Sequence, residues 1–244
     1  MTEVSAEKVE RRSGVALWRQ IADQIRLAIG AGAFTERLPP EIELAHRFGV
    51  NRHTVRGAIA ALVQEGVLRA EQGRGTFVDR PARFAYPIGP RTRFSEGLAG
   101  QARDRRGMLL AHSIEPADAA TAEALRLAPG SPVVRLETLS EADGRKVSRA
   151  TSFFDAARFA GIDEIHAKTG SITAALKAFG VEDYVRLSTL VSARHAGAAD
   201  LADLNLSPGA IVLVTVYVNV DQKGVPVQYS RTRFAADLVE LSVS

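Results

Sequence analysis

Apolar residues recur every three or four positions near the start of the chain, a spacing that places them on one face of a helix. We predict an amphipathic helix over about residues 17–30 from Leu17, Ile21, Ile25, Ala28 and Ile29. The segment "AGAFTERLPP" interrupts the pattern, and its two prolines favour a new helix start because proline is tolerated in the first turn. A short second helix, "EIELAHRF", is predicted to end at Gly49.

A third predicted helix begins at Asn51, whose side chain can accept a hydrogen bond from an exposed backbone N–H. Its apolar face is formed by Val55, Ile59, Leu62 and Val63. The opposite face is expected to be bare, because it carries Gly57 and Ala60, with Arg52 and Arg56 one turn apart at its edge. Such a surface is suited to a DNA major groove about 12 Å wide, where arginine reads guanine.

The segment "VLRAEQGRGTFV" follows this helix and predicts two short strands joined by a glycine-rich turn, with Arg74 at the tip. Two helices joined by a short Gly-containing turn form a helix-turn-helix, and the hairpin is a wing able to enter an adjacent minor groove. Taken alone, Arg52 and Arg56 are equally typical of a solvated helix face. Together with the cap, the turn and the basic hairpin, they favour DNA binding.

The charge distribution supports a polyanion-binding role for the first third of the chain. Residues 1–83 hold 13 Lys/Arg and 10 Asp/Glu, whereas residues 84–244 hold 18 of each, although an excess of three charges is also compatible with chance. The absence of cysteine excludes disulfides and Cys-ligated zinc, and favours a cytoplasmic location. The longest apolar run, Ala210 to Val218, is about half of the ~20 residues that a membrane span needs, so no membrane association is expected.

An internal repeat relates residues 122–154 to residues 199–234. Each copy has the pattern of a short helix, a long strand, a charged turn and a returning strand, and two such units are expected to share one antiparallel sheet. Between the wing and this region, "DRPARFAYPIGPRT" holds three prolines and is predicted to be a stiffened linker. The predicted fold class is α+β, with a winged helix-turn-helix at 1–78, a linker at 79–92 and a sheet domain at 93–244.

The stretch "LPPEIELAHRFGVNRHTVRGAIAALVQEGVLRAEQGRGTFV" closely resembles the DNA-binding domain of GntR-family transcription regulators, in the branch of the histidine-utilisation repressors (HutC). The resemblance covers about residues 15–78 and implies base reading by arginines, a phosphate contact by Thr54 and a wing. The DNA-contact residues that it implies are Arg52, His53, Thr54, Arg56, Gly73, Arg74, Gly75 and Thr76. Relatives usually have Ser at Pro40, and some have a base-contacting Arg at Ile42, so the operator is expected to differ from theirs.

The stretches "YPIGPRTRFSEGL", "RLETLSEADGRKVS" and "VQYSRTRF" resemble the effector-binding (UTRA) domain of the same branch, which has a chorismate-lyase-like fold. The match favours regulators of phosphonate metabolism (PhnF type). It implies that residues 93–244 bind an effector, commonly a phosphorylated or otherwise acidic metabolite, and supply the dimer contact. We expect effector contacts from Arg93, Phe94, Ser95, Thr138, Ser140, Ser171, Thr173, Gln228 and Phe234.

Departures from the sugar-phosphate-sensing relatives narrow the expected effector. Those relatives often have arginines at Thr138 and Ser140 and glutamates at Ala150 and Gln228, so an amino-sugar phosphate is not expected and a small oxyanion is. Strand parity agrees with a shared face for the expected contacts, although a hydrated interior without a ligand is an alternative reading. Three further arginines have the opposite parity and are expected at a solvent or dimer face: Arg149, Arg231 and Arg233.

The sequence therefore predicts a cytoplasmic, homodimeric repressor that binds near-palindromic double-stranded DNA and responds to a phosphonate, phosphate or phosphate ester. One alternative is a regulator of sugar or amino-acid catabolism that senses a sugar phosphate or carboxylate. A chorismate-lyase-like enzyme is disfavoured, because the five histidines lack metal-ligand spacing and no nucleophile motif is present. An RNA-binding module is disfavoured by the lack of stacking aromatic pairs. No catalytic residue, cofactor or metal is expected.

Overall fold

A computed structural model of the 244-residue chain describes residues 16–79, 83–91, 93, 97–98, 100–206 and 209–243. The chain divides after Ala82 into two compact units, each built around its own buried apolar clusters. Within these residues, none of the helices has the length and apolar character required to cross a membrane.

The first unit contains three helices and a hairpin, as the hydrophobic pattern predicts. Its elements are α1 (Leu17–Gly30), α2 (Glu41–Phe48), α3 (Arg52–Gln64), β1 (Leu68–Glu71) and β2 (Gly75–Val78). Asn51 caps α3 by accepting a hydrogen bond from the Thr54 amide at 2.8 Å, which confirms the predicted cap. Pro40 stands at the N-cap position of α2 and provides no side-chain hydrogen bond there.

The bare surface predicted on α3 is present at the exposed Ala60 but not at Gly57, so the prediction is wrong for Gly57. A Cβ added to Gly57 would lie 3.5 Å from the Trp18 Cβ, because the side chain of Trp18, in α1, covers this part of α3. The apolar core of the unit is as expected from the helical spacing, with Ile21, Ile25 and Leu62 fully buried. Helix α3 therefore contacts the rest of the unit on two sides, and its exposed positions are Arg52, His53, Arg56, Ala60 and Gln64.

The second unit is built on a six-stranded antiparallel sheet with the order β4-β5-β6-β9-β8-β7. The strands are β4 (Arg105–Pro116), β5 (Pro132–Ala142), β6 (Arg145–Asp155), β7 (Tyr184–His195), β8 (Ile211–Asp221) and β9 (Pro226–Ala235). Helix α4 (Ala119–Leu125) precedes the β5–β6 hairpin, and α8 (Ala198–Asp203) precedes the β8–β9 hairpin. The two hairpins meet where β6 pairs with β9, which confirms the internal repeat and the shared sheet.

The two faces of this sheet are covered by different helices. Helices α5 (Ala156–Phe159), α6 (Ile162–Thr169) and α7 (Ile172–Ala178) pack on Val134, Leu136 and Phe154. We call this side the pocket face. Helix α4 packs on Val133 and Phe153, and the end of α8 packs on Leu139, so these helices cover the opposite face. The period-2 alternation of the strands produces this division.

Part of the predicted linker is a strand, which corrects the sequence interpretation. Residues Phe84–Ile88 form β3, which pairs in parallel with β10 (Val239–Val243). Phe84 and Tyr86 alternate into a buried cluster of the second unit, and that burial stabilises the strand. Pro87 is compatible with it because proline is tolerated in the edge strand of a two-stranded sheet.

The expectation for the arginines of the opposite face is wrong for two of the three. The side chains of Arg149 and Arg233 are only 16% and 6% exposed, whereas Arg231 is exposed. Helix α8 brings Asp200 to 3.4 Å from Arg233, and the adjacent Glu137 lies 3.2 Å from Arg149 and 3.4 Å from Arg233. These acids cover both guanidinium groups and remove them from solvent, so the parity is as predicted but the solvent exposure is not.

Candidate functional site

The exposed end of α3 presents two arginines held by one carboxylate of α2. Arg52 and Arg56 have side chains that are 57% and 58% exposed. Arg56 donates from Nε to Glu41 Oε1 at 3.1 Å and from Nη2 to Glu41 Oε2 at 2.8 Å, while Arg52 Nη2 lies 3.4 Å from the same Oε2. The hydrogen bond from Arg56 lowers the pKa of Glu41, which keeps this carboxylate charged.

Glu41 orients the arginines without exhausting their donors. A guanidinium has five N–H groups in a fixed plane, and Glu41 accepts from Nε and Nη2 of Arg56 and from Nη2 of Arg52. The Nη end of the plane remains available for the O6 and N7 of a guanine. The sequence analysis missed Glu41. Its position in the first turn of α2 was the available signal, because the tight turn brings that end of α2 beside the start of α3.

The other expected contacts on α3 have different surroundings. His53 is exposed in the first turn. Thr54 donates both its amide N–H and its hydroxyl to Asn51 Oδ1, at 2.8 Å and 3.0 Å. Thr54 is therefore first a partner of the cap, and any phosphate contact that it makes competes with this pairing.

The wing carries a cluster of three arginines around one aromatic ring. The guanidinium carbons of Arg37, Arg69 and Arg74 lie 5.7, 5.5 and 5.8 Å from the centre of the Phe77 ring. Gly75 has φ of 113°, and a Cβ there would lie 2.7 Å from Arg37 Nη2, so the wing requires glycine at this position. The sequence analysis identified Arg74 but missed the other two arginines, which lie outside the glycine-rich turn.

The remaining expected wing residues, Gly73 and Thr76, contribute to the wing through their backbone. Gly73 has φ of 76° in the turn, where a left-handed residue is needed. The carbonyl of Thr76 accepts a hydrogen bond from the Leu38 amide at 2.9 Å. The segment before α2 thus pairs with β2 and braces the hairpin.

The pocket face of the second unit encloses a cavity of about 110 Å³. The expected effector contacts that line it are Arg93, Thr138, Ser140, Ser171, Thr173, Gln228 and Phe234. Phe94 and Ser95 lie outside the residues that the structure describes. An apolar cavity of about 150 Å³ is large enough for benzene. The cavity here is therefore suited to a small molecule or to one end of a larger one.

The charges around this cavity are cationic among the residues that the structure describes. Neither aspartate nor glutamate is found among its described lining residues, whereas Arg93 and Arg186 both line it. Arg93 donates to Asp183 at 2.6 Å, so much of its charge is neutralised. Across the described ranges, no carboxylate forms an ion pair with Arg186.

Arg186 is held in place by two aromatic residues. Its guanidinium carbon lies 3.7 Å from the centre of the Tyr217 ring, a cation–π geometry. Its guanidinium group also lies near the hydroxyl of Tyr86, whose pKa is raised by burial. The sequence analysis missed Arg186. Strand parity was the signal, because Arg186 alternates with the cavity residue Tyr184 along β7.

The hydroxyl-bearing wall of the cavity is formed around the start of α7. Ser171 caps this helix, accepting from the Ala174 amide at 3.2 Å. The Thr173 hydroxyl lies 2.7 Å from the hydroxyl of Tyr184, whose ring faces Arg93 at 4.9 Å from its guanidinium carbon. These contacts place hydroxyl groups on the same cavity as the arginines.

Two further cavity residues escaped the sequence analysis, Asn219 on β8 and His166 on α6. Each is 2% exposed, and burial lowers the pKa of His166, which favours its neutral form. Asn219 Nδ2 donates to Gln228 Oε1 at 2.8 Å. In the described part of the chain, no group of three His, Asp or Glu side chains is arranged to hold a metal ion.

Comparison with known protein families agrees with this two-part organisation. Residues 17–78 match the family model described as bacterial regulatory proteins, gntR family, and residues 101–240 match the UTRA domain. The UTRA match covers more than half of the chain. The first match includes all three helices and the wing, and the second includes the six-stranded sheet.

Several proteins are similar over most of the chain. The uncharacterized HTH-type transcriptional regulator RB1450 of Rhizobium meliloti is 55% identical, with 98% of each chain covered. The probable transcriptional regulator PhnF of Escherichia coli is 32% identical over 84% of this chain and 85% of that protein. The crystal structure of PhnF from Mycobacterium smegmatis shares the fold, with a TM-score of 0.61 at 24% identity over 92% of this chain and 98% of that one. The chain therefore belongs to the GntR family, in its HutC/PhnF type, and is a transcriptional regulator with a DNA-binding helix-turn-helix and an effector-binding UTRA domain rather than an enzyme.

Proposed function

We propose that this regulator is a cytoplasmic homodimer that represses genes for phosphonate uptake or degradation, and that a small acidic effector in the cavity changes its affinity for DNA. The observation that carries the effector class is the cavity itself, which combines Arg186 with hydroxyl groups and has no acidic residue among its described lining. The relatives named PhnF support the phosphonate branch, since one of them, from Mycolicibacterium smegmatis, is called a repressor.

In this proposal the DNA is read by Arg52 and Arg56, oriented by Glu41. The wing adds contacts to the sugar-phosphate backbone or the minor groove through Arg37, Arg69 and Arg74. A dimer places two copies of α3 in successive major grooves about 34 Å apart, so the operator is near-palindromic. The exposed Ile42 of α2 offers a methyl-rich surface where some relatives have arginine, and such a surface suits a thymine methyl group.

The effector is bound by Arg186, with Ser171, Thr173, Thr138 and Ser140 as hydroxyl donors. This assignment moves the cationic charge from β5, where the sugar-phosphate-sensing relatives often have arginines, to β7. An anion in the cavity meets a guanidinium without a described carboxylate partner, whereas an amine meets no acid. Typical coupling between an effector site and a DNA site is about 1–3 kcal/mol, or roughly 5- to 150-fold in affinity.

A regulator of sugar catabolism is the second candidate. The mannosyl-D-glycerate transport/metabolism system repressor MngR of Escherichia coli is 38% identical, but over only 46% of this chain and 48% of that protein. A cavity of about 110 Å³ favours a smaller ligand than a glycoside. The two candidates differ in which anion alters DNA binding.

The test begins by selecting an operator from random-sequence duplex DNA with the full-length protein. Thermal stability and gel-shift titrations are then measured with methylphosphonate, inorganic phosphate, glycerol 3-phosphate, mannose 6-phosphate and lactate. Ligand at 100 times its Kd stabilises the protein by about 2.7 kcal/mol. We expect a phosphonate or phosphate to raise the melting temperature and to shift the operator titration. No response to any of these anions at millimolar concentration would contradict the proposed effector class.

A further inference from the structure

A directional chain of hydrogen bonds runs along the cavity floor, from β8 through β9 to β6. Asn219 Nδ2 donates to Gln228 Oε1 at 2.8 Å, and Gln228 Nε2 donates to Ser152 Oγ at 3.0 Å. The hydroxyls of Ser152 and Ser230 are 2.9 Å apart, and Ser230 Oγ lies 3.2 Å from the carbonyl oxygen of Thr151. All four side chains of this hydrogen-bond network are buried, and Asn219 stands at one end of it.

The contact between Ser230 and the Thr151 carbonyl fixes the donor and the acceptor in every other hydrogen bond of the network. A carbonyl oxygen only accepts, so Ser230 must donate its single hydroxyl hydrogen to Thr151. Ser152 must then donate to Ser230, and Gln228 must donate to Ser152 through its NH₂ group. The Gln228 oxygen therefore faces β8, and Asn219 must offer it an N–H. The orientation of both amides follows from the network and not from the shape of the side chains.

The first member is left with an unused acceptor. Asn219 lines the cavity and is 2% exposed, and within the described ranges its Oδ1 accepts no hydrogen bond. A buried carbonyl oxygen without a donor is unfavourable, because it has lost the hydrogen bonds that water would provide. Rotation of the Asn219 amide cannot supply the missing hydrogen bond. A rotated Asn219 would turn its oxygen towards the Gln228 oxygen, whose orientation is fixed through Ser152 and Ser230, and two oxygens that only accept would then face each other.

Strand register places this acceptor beside the cation of the cavity. Asn219 is the direct cross-strand partner of Arg186 on β7 and of Gln228 on β9. Side chains opposite each other on an antiparallel pair have Cβ atoms about 4.5–5.5 Å apart. An anionic group at Arg186 and a hydrogen-bond donor at Asn219 Oδ1 are therefore one short spacer apart.

We propose that Asn219 Oδ1 selects effectors that carry a hydroxyl or amide N–H within one or two carbons of their anionic group. This inference rests on the proposed function of the cavity and makes it more specific. Hydroxyalkyl phosphonates and short hydroxyalkyl phosphates have this chemistry. A plain alkyl phosphonate of the same size leaves the Asn219 oxygen unpaired.

The matched ligands for the test are hydroxymethylphosphonate and ethylphosphonate, which differ by a hydroxyl in place of a methyl group. Both are titrated into the full-length protein by calorimetry. We expect hydroxymethylphosphonate to bind about tenfold more tightly, the ratio that corresponds to one buried hydrogen bond of about 1.4 kcal/mol. Equal affinities would overturn the inference while leaving an anion-binding cavity, whereas the absence of binding by either ligand would contradict the proposed function itself.

Two variants separate selection by Asn219 from general damage. Asn219→Leu removes the acceptor, and the preference for the hydroxyl ligand is expected to vanish. Ser230→Ala removes the anchor of the hydrogen-bond network without altering a cavity-lining residue. The donor and acceptor roles in the network are then free to reverse, and the preference for the hydroxyl ligand is expected to fall to about threefold or less. Ser188→Ala, at an exposed position of β7, is the control and should retain the tenfold ratio expected of the parent chain. A Ser230→Ala protein that keeps the full preference for the hydroxyl ligand would show that the hydrogen-bond network does not set the orientation of the Asn219 amide.

Discussion

The arginines of the two units have opposite surroundings. In the winged unit Arg52 and Arg56 are 57% and 58% exposed and share one carboxylate. In the sheet unit the side chains of Arg149 and Arg233 are 16% and 6% exposed and lie among several acids. The exposed pair is available to another molecule, and the buried pair holds α8 to the sheet. Residue type alone does not reveal which role an arginine has, because the neighbouring element decides it.

The two sites also differ in how the chain assembles them. The proposed DNA-contact surface comes from one continuous stretch, between Arg37 and Phe77. The cavity collects residues from strands of both repeats and from α6 and α7. A site formed by one continuous stretch can be recognised as a sequence motif. A site assembled from several strands can be recognised only when the strand pairing is known.

Substitution of Arg233 is expected to give the largest effect and tests the buried half of the comparison. Arg233→Met leaves Glu137 and Asp200 without one of their cations, and breaking a buried ion pair costs about 3–5 kcal/mol. Urea denaturation followed by far-UV circular dichroism measures the loss. Arg231→Met, on the same strand but exposed, should change stability by no more than about 0.5 kcal/mol.

The single tryptophan makes this test local to one unit. Trp18 lies in α1 of the winged unit, so its fluorescence reports on that unit alone. We expect Arg233→Met to shift the circular dichroism transition and to leave the fluorescence transition in place. Equal losses for Arg233→Met and Arg231→Met would remove the distinction between buried and exposed arginines.

Gly107 gives the next largest effect, because the backbone of β4 crosses the segment between α6 and α7 at this point. A Cβ on Gly107 would overlap the Gly170 carbonyl oxygen, and neither backbone segment can yield as a flexible side chain does. Gly107→Ala should destabilise the sheet unit by about 1–3 kcal/mol. It should also weaken anion binding, since Gly170 and Ser171 form part of the cavity wall. Calorimetry and urea denaturation measure the two effects.

Gly89→Ala is the control for Gly107→Ala. A Cβ at Gly89 has no heavy atom within 4 Å, and its φ is not positive. Its stability should stay within about 0.5 kcal/mol of the parent chain. If Gly107→Ala were as stable as this control, the backbone crossing would not define the cavity wall.

Substitution of the exposed arginines should affect recognition and leave stability unchanged. Arg52→Ala and Arg56→Ala are each expected to lose about 1–3 kcal/mol of discrimination between the selected operator and scrambled DNA, because each removes a proposed guanine contact. Arg74→Ala should weaken binding to both DNAs by similar factors, since a wing cation meets mainly phosphate. Gel-shift titrations with both duplexes measure this. Equal losses on both DNAs for Arg52→Ala would argue against base reading.

Helix propensity, caps and period-2 alternation are local properties, and they predicted all helices and both strands of the winged unit. The repeat likewise predicted the two central hairpins. Burial by distant elements is not local. The pairing of β3 with β10 turned part of a proline-containing linker into a strand, and α8 buried Arg149 and Arg233. Long-range pairing of this kind leaves no short-range signal beyond the alternation itself.

The same reason explains what was found and missed in the cavity. Thr138, Ser140 and Gln228 were identified through a family resemblance that strand parity supported. Arg186 and Asn219 were missed because their strands carry no motif, and only the register of β7 with β8 brings them side by side. Glu41 was missed because it lies in α2, whereas the arginines that it orients lie in α3.

The smallest predicted effect tests whether Gly57 belongs to the packed or to the DNA-facing part of α3. A Cβ at Gly57 would lie 3.5 Å from Trp18, an ordinary contact, and Gly57 has no positive φ. Gly57→Ala should therefore stabilise the winged unit by about 0.5–1 kcal/mol, because alanine loses less backbone entropy than glycine in a helix. Ala60→Gly, at an exposed position of the same helix, is the reverse control and should destabilise the unit by a similar amount. The Trp18 fluorescence transition in urea measures both, and operator affinity should be unchanged in Gly57→Ala. A clear loss of operator affinity without loss of stability would place Gly57 against DNA, and would restore the bare surface that the sequence predicted.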